Sequence, residues 1–246
     1  MKTNPPAPAS LTPQTDAVPQ LIAATANTLP EQVNALARAR AFAEPLMAGE
    51  TLDSGENTLA HADAVAAILK GIGGSEAMQA ASYLVHACIH LNKPEEVIAK
   101  AFGANFAALA VETTKLMRVQ QQARAAAPLD DPAVQTENVR KMLLAFSRDL
   151  RVVMLRLASR LQTLRFHAAS KRPVSPSLAR ESLQVFAPLA NRLGIWQVKW
   201  ELEDLSFRFL EPDTYRHIAK CLDEKRAERE IYMEQLRLRL ESALRA

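Results

Sequence analysis

Residues 84–91 read Leu84-Val85-His86-Ala87-Cys88-Ile89-His90-Leu91 and lie in the middle of a strongly helical pattern. They hold two of the five histidines in the chain. His86 and His90 are four residues apart, so on an α-helix they project from one face, one turn apart. Two histidines with this spacing can share a metal ion. The stretch therefore predicts a helix at the centre of the fold and raises the question of a metal site.

The remainder of the chain has the same helical character. Its 246 residues are enough to bury a sizeable core, and 48% of them are hydrophobic. Aromatic residues make up only 5% and there are seven glycines, a composition that favours close helix packing over a twisted sheet. The sequence has no strand alternation of useful length, no P-loop, no glycine-rich dinucleotide turn and no nucleophile elbow. We predict an all-α helical bundle.

Charge and cysteine usage exclude several classes of function. The 30 basic and 27 acidic residues leave a net charge of +3, which is too small to indicate binding to nucleic acid or to an anionic membrane. Cys88 and Cys221 fall in different predicted helices and indicate neither a disulfide framework nor a thiolate zinc site. The sequence has no apolar signal core and no apolar span of membrane length. We expect a soluble cytoplasmic protein with no membrane contact.

Capping and helix-breaking residues divide the chain into a series of helices. In the first half we predict helices from about Pro30 towards Gly49, from Asn57 or Thr58 to Gly71, from Ser75 through His90 to Asn92, from Pro94 to Phe102, and from Phe106 past Leu116. Residues 120–135 are predicted to form a surface loop. In the second half we predict helices over 137–164 with a joint at Ser147-Arg148-Asp149, over 177–194, over 196–210, and from Pro212 onwards.

Two side-chain patterns could indicate binding to a partner or to nucleic acid, but a structural interpretation is favoured for each. Trp196 and Trp200 are four residues apart and are expected to lie in the core. A basic series is expected to form solvated surface and ion pairs, because no stacking aromatic residues accompany it. Its members are Arg148, Arg151, Arg156, Arg160 and Arg165. No direct nucleic-acid binding is predicted.

One long segment carries a specific resemblance. Residues 187–210, APLANRLGIWQVKWELEDLSFRFL, resemble the segment APLANRLGIWQIKWELEDLSFRYLEP of long RelA/SpoT proteins, the bifunctional synthetase/hydrolases of the alarmone (p)ppGpp. The segments ENVRKMLLA at 137–145, DLRVVMLRLA at 149–158 and TTKL at 113–116 match that family in the same order. The resemblance covers roughly residues 30 to 235.

The resemblance implies an HD-type helical bundle, the N-terminal hydrolase domain of that family. In active relatives a manganese ion there activates the water that removes the 3′ pyrophosphate. The metal-ligand positions of the family correspond here to His61, His86, Ala87 and Ser159. Two histidines are kept, whereas alanine and serine stand where the family has aspartates.

The resemblance also locates the positions that act on water and substrate. The acidic pair that orients the attacking water corresponds to His90 and Leu91, and the asparagine of the ADRLHNMR motif corresponds to Thr163. The basic pair expected to meet substrate phosphates corresponds to Leu52 and Asp53. Each of these positions has therefore lost the side chain that the chemistry requires.

These losses predict a degenerate site with no bound metal, no catalytic residue, no substrate-binding residue and no cofactor. Manganese prefers carboxylate and water oxygens together with imidazole nitrogens, and two neutral imidazoles are a poor substitute for that set. Two alternatives remain open. His61, His86 and His90 could form a zinc centre with a water in the fourth position, giving an active phosphohydrolase. Alternatively, the cleft could bind nucleotide without turnover.

We therefore expect a catalytically inactive, regulatory hydrolase-like domain from a RelA-type GTP pyrophosphokinase, which would make (p)ppGpp from ATP and GTP or GDP in the stringent response. Residues 1–19 are expected to be a disordered tail, 20–195 the degenerate HD domain and 196–246 a helical connector. The connector would lead to a synthetase domain that this chain lacks. The expected partners are that synthetase domain and, through the parent protein, the ribosome.

Overall fold

The structure, a computed structural model, describes residues 35–126 and 149–245. Most of these residues lie in α-helices, and within them the strand-like pairing is a single isolated bridge between Thr51 and Asn57. The helices are α1 Ala35–Met47, α2 Thr58–Gly71, α3 Glu76–Ala87, α4 Pro94–Phe102, α5 Ala104–Ala126, α6 Leu150–Ser170, α7 Pro176–Glu181, α8 Ala187–Arg192, α9 Trp196–Leu210 and α10 Pro212–Arg245. The predicted all-α fold is confirmed.

The chain divides into two compact units, one ending at Thr163 and the other beginning at Leu164. The predicted domain boundary after residue 195 stays a prediction. The predicted tail, residues 1–19, lies outside the described residues. No described helix has both the length and the apolar character needed to cross a membrane.

Helix α3 is the centre of the first unit. It contacts α1, α2 and α5, and its residues from Ala80 to Ala87 are all buried. Large side chains that fill the same core include Phe42, Met47, Leu84 and Ile98. A helix that is apolar on nearly every face needs neighbours on every side. The sequence of α3 therefore places His86 inside the protein.

The predicted caps fix where the helices of the first unit begin. The Asn57 side chain accepts a hydrogen bond from the backbone N–H of Ala60 at 3.0 Å, and the Ser75 hydroxyl accepts one from Met78 at 3.4 Å. Each cap satisfies a backbone donor that the first helical turn would otherwise leave unpaired. As a result His61 lies near the start of α2, directed into the core.

The predicted continuation of α3 to Asn92 is wrong. The α-helix ends at Ala87, and a 3₁₀ turn follows over Cys88–His90. Leu91 has extended backbone, and Lys93 is held out of the helical region because it precedes Pro94. His86 and His90 therefore do not share one α-helical face: His86 is buried and His90 is exposed.

The predicted surface loop at 120–135 is wrong for its first part, since α5 continues to Ala126. Gln120 is buried and its side chain pairs with Arg156 of α6. This tertiary contact outweighs the weak helical signal of the glutamine run. Residues 127–135 lie outside the described residues. Of the predicted joint, Ser147 and Arg148 also lie outside the described residues; Asp149 stands just before α6, and its carboxylate accepts the backbone N–H of Arg151 at 2.9 Å.

In the second unit, α7 and α8 are joined by a π-helical turn over Ser182–Phe186, and this segment packs against α9. The core face of α9 carries Val198, Leu202 and Leu205. The expected core position of the tryptophans is wrong: Trp196 is 55% exposed and Trp200 is 65% exposed. Both belong to the opposite face of the helix.

The basic series is only partly a solvated surface. Arg151 pairs with Asp149, and Arg165 pairs with Glu201 at 2.5 Å, as expected. Arg156 and Arg160 are instead buried, which corrects the prediction for those two residues. Arg148 lies outside the described residues.

Gly74→Ala is expected to lower the free energy of unfolding by about 2 kcal/mol, because the new Cβ would lie 2.8 Å from the carbonyl oxygen of Leu69. Gly71→Ala is the matched control, since a Cβ there meets nothing within 4 Å. It should be neutral or stabilise by up to about 1 kcal/mol. Urea unfolding of the two variants measures the difference, and equal stabilities would contradict the prediction.

Candidate functional site

The site is built around His61, whose two ring nitrogens are both hydrogen-bonded. Nδ1 lies 2.7 Å from Oε2 of Glu56, and Nε2 lies 3.0 Å from Oγ of Ser159. Asn57 caps α2 between Glu56 and His61, and so holds the carboxylate against the ring. His61 is 1% exposed and Glu56 is 4% exposed. The start of α2 is thereby joined to the middle of α6 through a buried polar contact.

A fourth side chain closes these contacts into a ring. Gln162 donates through Nε2 to Oε1 of Glu56 at 2.5 Å. Gln162 and Ser159 are three residues apart on α6 and so lie on one face, one turn apart. We call Glu56, His61, Ser159 and Gln162 the Glu56 network.

The network fixes which atoms donate. The Glu56 carboxylate accepts from Gln162 and from the N–H at Nδ1 of His61. In a neutral imidazole, Nε2 then carries the lone pair, so the Ser159 hydroxyl is the donor in that contact. The nitrogen that would otherwise bind a metal is occupied by a serine hydroxyl.

His86 lies beside the network but outside it. Its ring is 5.5 Å from that of His61, centroid to centroid, and the two planes are nearly perpendicular at 87°. Burial lowers the pKa of His86 to about 3, with smaller contributions in the same direction from neighbouring His61, Arg156 and His90. Its Nδ1 is buried and has no hydrogen-bond partner among the described residues. His86 is thus a neutral imidazole at physiological pH.

The lowered pKa of His86 predicts a loss of stability in acid. Between pH 6.5 and about 3 the unfolded histidine binds a proton and the folded one does not, so the stability is present above pH 6.5 and declines below it. The decline is about 1 kcal/mol between pH 6.5 and 5.5, because the unfolded histidine is already half protonated at pH 6.5. Urea unfolding at pH 6.5 and 5.5 should show this difference, and His86→Gln should reduce it by that amount. An unchanged slope in His86→Gln would contradict the prediction.

The remaining predicted positions are not brought together with the histidines as a chemical site. Ala87 is fully buried in the core, and Leu91 is packed in the same core at 7% exposure. His90 is exposed at the end of the 3₁₀ turn. Thr163 donates through Oγ1 to the backbone oxygen of Ser159 at 3.0 Å.

The lost basic pair lies in a tight turn before α2. Backbone hydrogen bonds join Leu52 to Glu56 and Gly55 to Leu52, at 2.9 and 2.7 Å. Exposed Asp53 accepts a hydrogen bond from Gln121 at 3.3 Å. An aliphatic and an acidic side chain at these positions provide no cation for a phosphate.

The resemblance implies a manganese ion in active relatives, and the donor atoms at the corresponding positions of this chain are different. Of the four ligand positions, His61 has both nitrogens engaged, Ala87 has no donor atom, and Ser159 offers a neutral hydroxyl that already donates to His61. The described residues contain no group of three or more His, Cys, Asp or Glu side chains arranged to hold a metal. His61, His86 and His90 are among these residues and form no such group, so the three-histidine zinc centre is not assembled here. This donor set does not fit manganese.

Sequence reasoning missed Glu56, Gln162 and Gln120. Arg156 donates through Nε and Nη2 to Oε1 of Gln120, at 3.2 and 2.7 Å, and forms a second buried polar contact next to His86. Gln162 lies between Ser159 and Thr163 and three residues after Ser159, on the same helical face, and that spacing was the available signal for it. Glu56 and Gln120 had no such signal, because their partners on α6, Gln162 and Arg156, lie far away in the sequence.

Comparison with known proteins gives matches over most of the chain. The family model described as "HD domain" matches residues 39–196. A "Probable guanosine-3′,5′-bis(diphosphate) 3′-pyrophosphohydrolase" of Synechocystis sp. is 41% identical over 210 residues, which are 85% of this chain and 27% of the relative. A "GTP pyrophosphokinase" of Myxococcus xanthus is 34% identical over 197 residues, which are 80% of this chain and 26% of the relative.

A "GTP pyrophosphokinase" of Escherichia coli K12 is 46% identical over 112 residues, which are 46% of this chain and 15% of the relative. The chain spans about a quarter of the length of the first two relatives and less of the third. The similar proteins therefore include two named GTP pyrophosphokinase and one named as a probable pyrophosphohydrolase.

Proposed function

Because this chain belongs to the HD domain family and is similar to its RelA/SpoT members, we propose that it is a (p)ppGpp-hydrolase-like domain that has lost hydrolysis and kept a regulatory role. The parent protein would be a GTP pyrophosphokinase, which transfers pyrophosphate from ATP to GTP or GDP in the stringent response. The relatives named GTP pyrophosphokinase support this assignment.

The observation that carries the proposal is the Glu56 network. It engages both nitrogens of His61 with side chains of the protein itself. Removal of a 3′ pyrophosphate in this family depends on a metal-activated water, and a metal is what lowers the pKa of bound water towards neutrality. With Ser159, Ala87 and Leu91 at the positions of the acidic residues, neither an ion nor a base is provided for that water.

The regulatory part of the proposal rests on packing. Helix α3 packs against α1, α2 and α5 around a core of buried apolar side chains, and a packed bundle of this kind can restrain or support a neighbouring domain. The proposed neighbour is the synthetase domain of the parent protein, and the ribosome would act on this domain through the parent. A cytoplasmic location is part of the same proposal.

The test is an assay of pyrophosphate release from ppGpp by the purified chain with added Mn²⁺. We expect no turnover above the rate without protein, at all Mn²⁺ concentrations. A curated hydrolase relative assayed in parallel is the positive control. Metal-dependent release of pyrophosphate that is lost in His86→Gln would overturn the proposal, because it would require a working site at this cleft.

A further inference from the structure

The Glu56 network contains the arrangement of side chains by which enzymes activate a serine. A serine nucleophile needs a base within hydrogen-bond distance, and that base needs a third group that holds its orientation and tautomer. Ser159 Oγ is 3.0 Å from Nε2 of His61, and Nδ1 of His61 is 2.7 Å from Oε2 of Glu56. Such sites are recognised by geometry rather than by order in the sequence. Here the order is Glu56, His61, Ser159.

The proton positions also suit this role. Because Gln162 donates to the second oxygen of Glu56, the carboxylate is held with Oε2 towards the imidazole. The Nδ1–H tautomer leaves the Nε2 lone pair directed at the Ser159 hydroxyl. His61 can therefore accept the hydroxyl proton without any rearrangement of the network.

The three side chains of the Glu–His–Ser series differ in their exposure to solvent. His61 and Glu56 are buried, whereas Ser159 is partly exposed on α6. Gln162 and Thr163, on the next turn, are also partly exposed. Ser159 is thus the most exposed residue of the Glu–His–Ser series.

We propose that Ser159 is a nucleophile activated by His61, and that this site takes small activated carboxylic esters. Glu56 is a positioning residue that acts through His61. Gln162 provides a candidate donor for the developing oxyanion, since its amide has a second N–H besides the one donated to Glu56.

The reaction is an acyl transfer in two balanced steps. In the first, Ser159 Oγ bonds to the carbonyl carbon, the bond from that carbon to the leaving-group oxygen breaks, and the hydroxyl proton passes through Nε2 of His61 to the leaving group. In the second, water attacks the acyl-serine, gives one proton to Nε2, and His61 returns a proton to Ser159 Oγ as the carboxylic acid leaves. The metal that pyrophosphate removal requires has no part in either step.

The experiment is covalent labelling of the full chain with a fluorophosphonate, in which Ser159 Oγ bonds to phosphorus and fluoride leaves. Peptide mass spectrometry locates the label. The digest should avoid trypsin, because cleavage after Arg156 and Arg160 would leave Ser159 in a fragment of four residues. Ser170 is an internal control: it is an exposed serine on the same helix, and its hydroxyl donates to the backbone oxygen of Phe166 at 2.7 Å.

We expect one label per chain, at Ser159 and not at Ser170, and none in Ser159→Ala. His61→Gln should slow labelling about 100-fold, the range of a lost general base. Glu56→Gln should slow it as well, and Glu56→Asp should recover part of the rate, which a purely structural role for Glu56 does not predict. Release of p-nitrophenol from p-nitrophenyl acetate should follow the same order.

Circular dichroism establishes that each variant is folded, and the comparison of Ser159 with Ser170 in the wild-type chain holds even where a variant fails to fold. Absence of label at Ser159, equal labelling of Ser170, or unchanged labelling in folded His61→Gln would overturn the proposal. These outcomes are separate from the ppGpp assay, which tests loss of a different reaction and gives its answer whether or not Ser159 is reactive.

Discussion

His61→Leu is expected to lower the free energy of unfolding by about 3 kcal/mol, which would make it one of the most damaging substitutions in the first unit. The change removes a buried partner from the Glu56 carboxylate and from the Ser159 hydroxyl, and leucine offers neither of them a hydrogen bond. Breaking a buried polar pair on one side costs roughly 3–5 kcal/mol, because the other side stays buried without its partner. Urea unfolding at pH 7 measures the effect.

Two control variants make this test specific. His90→Leu alters an exposed histidine and should stay within about 0.5 kcal/mol of the wild type. The double variant Glu56→Leu, His61→Leu should be more stable than His61→Leu alone. Removing both members of the buried pair leaves no carboxylate buried without the imidazole, whereas His61→Leu alone does. If the two single costs simply add in the double variant, the polar network does not exist as described.

The second large effect is a gain of metal binding. Ser159→Asp combined with Ala87→Asp returns carboxylates to two positions next to His61 and His86, and carboxylate with imidazole is a donor set that manganese prefers. Without metal the variant should be less stable than the wild type, because Ala87 is fully buried. Added Mn²⁺ should raise its thermal midpoint, by the equivalent of about 2.7 kcal/mol when the free ion is at one hundred times its dissociation constant.

The matched control replaces the same residues with asparagine, which has the shape of aspartate without its charge. Ser159→Asn with Ala87→Asn should show no manganese-dependent shift, and neither should the wild-type chain. Thermal melts with and without Mn²⁺ give the comparison. If the aspartate variant folds and its midpoint does not respond to Mn²⁺, the correspondence of these positions to the metal ligands of the family is wrong.

Local signals in the sequence predicted most of the helices. Asn57, Ser75 and Pro94 each satisfy a requirement of the first helical turn, and the helices begin where these residues indicate. Burial of His86 followed from the apolar residues that surround it in α3. These features depend on neighbours within one or two turns, which is the range over which a single sequence is informative.

Features that depend on distant contacts were not predictable. Glu56 became part of the site because α6 brings Gln162 to it across more than one hundred residues of chain, and nothing near Glu56 encodes that contact. Trp196 and Trp200 have helical spacing that suits either face of α9, and the face was decided by Val198 and Leu202. Likewise, the glutamines at the end of α5 became helical because Gln120 pairs with Arg156.

The histidine pair of residues 84–91 shows how a small change in backbone alters a chemical interpretation. An unbroken α-helix would have aligned His86 with His90, but the 3₁₀ turn leaves His90 in solvent and Leu91 in the core. The second histidine near His86 is instead His61, contributed by α2. The polar side chains near His86 thus come from α2 and α6 as well as from the stretch that first suggested a metal.

The central claim is that side chains of the Glu56 network occupy the place of the metal, and manganese binding to the wild-type chain tests it most directly. Electron paramagnetic resonance distinguishes free hydrated Mn²⁺ from bound ion, so titration at micromolar protein concentration gives the bound fraction. The account predicts that the signal of free Mn²⁺ is undiminished at equimolar protein. Stoichiometric loss of that signal, restored by His61→Leu, would contradict it.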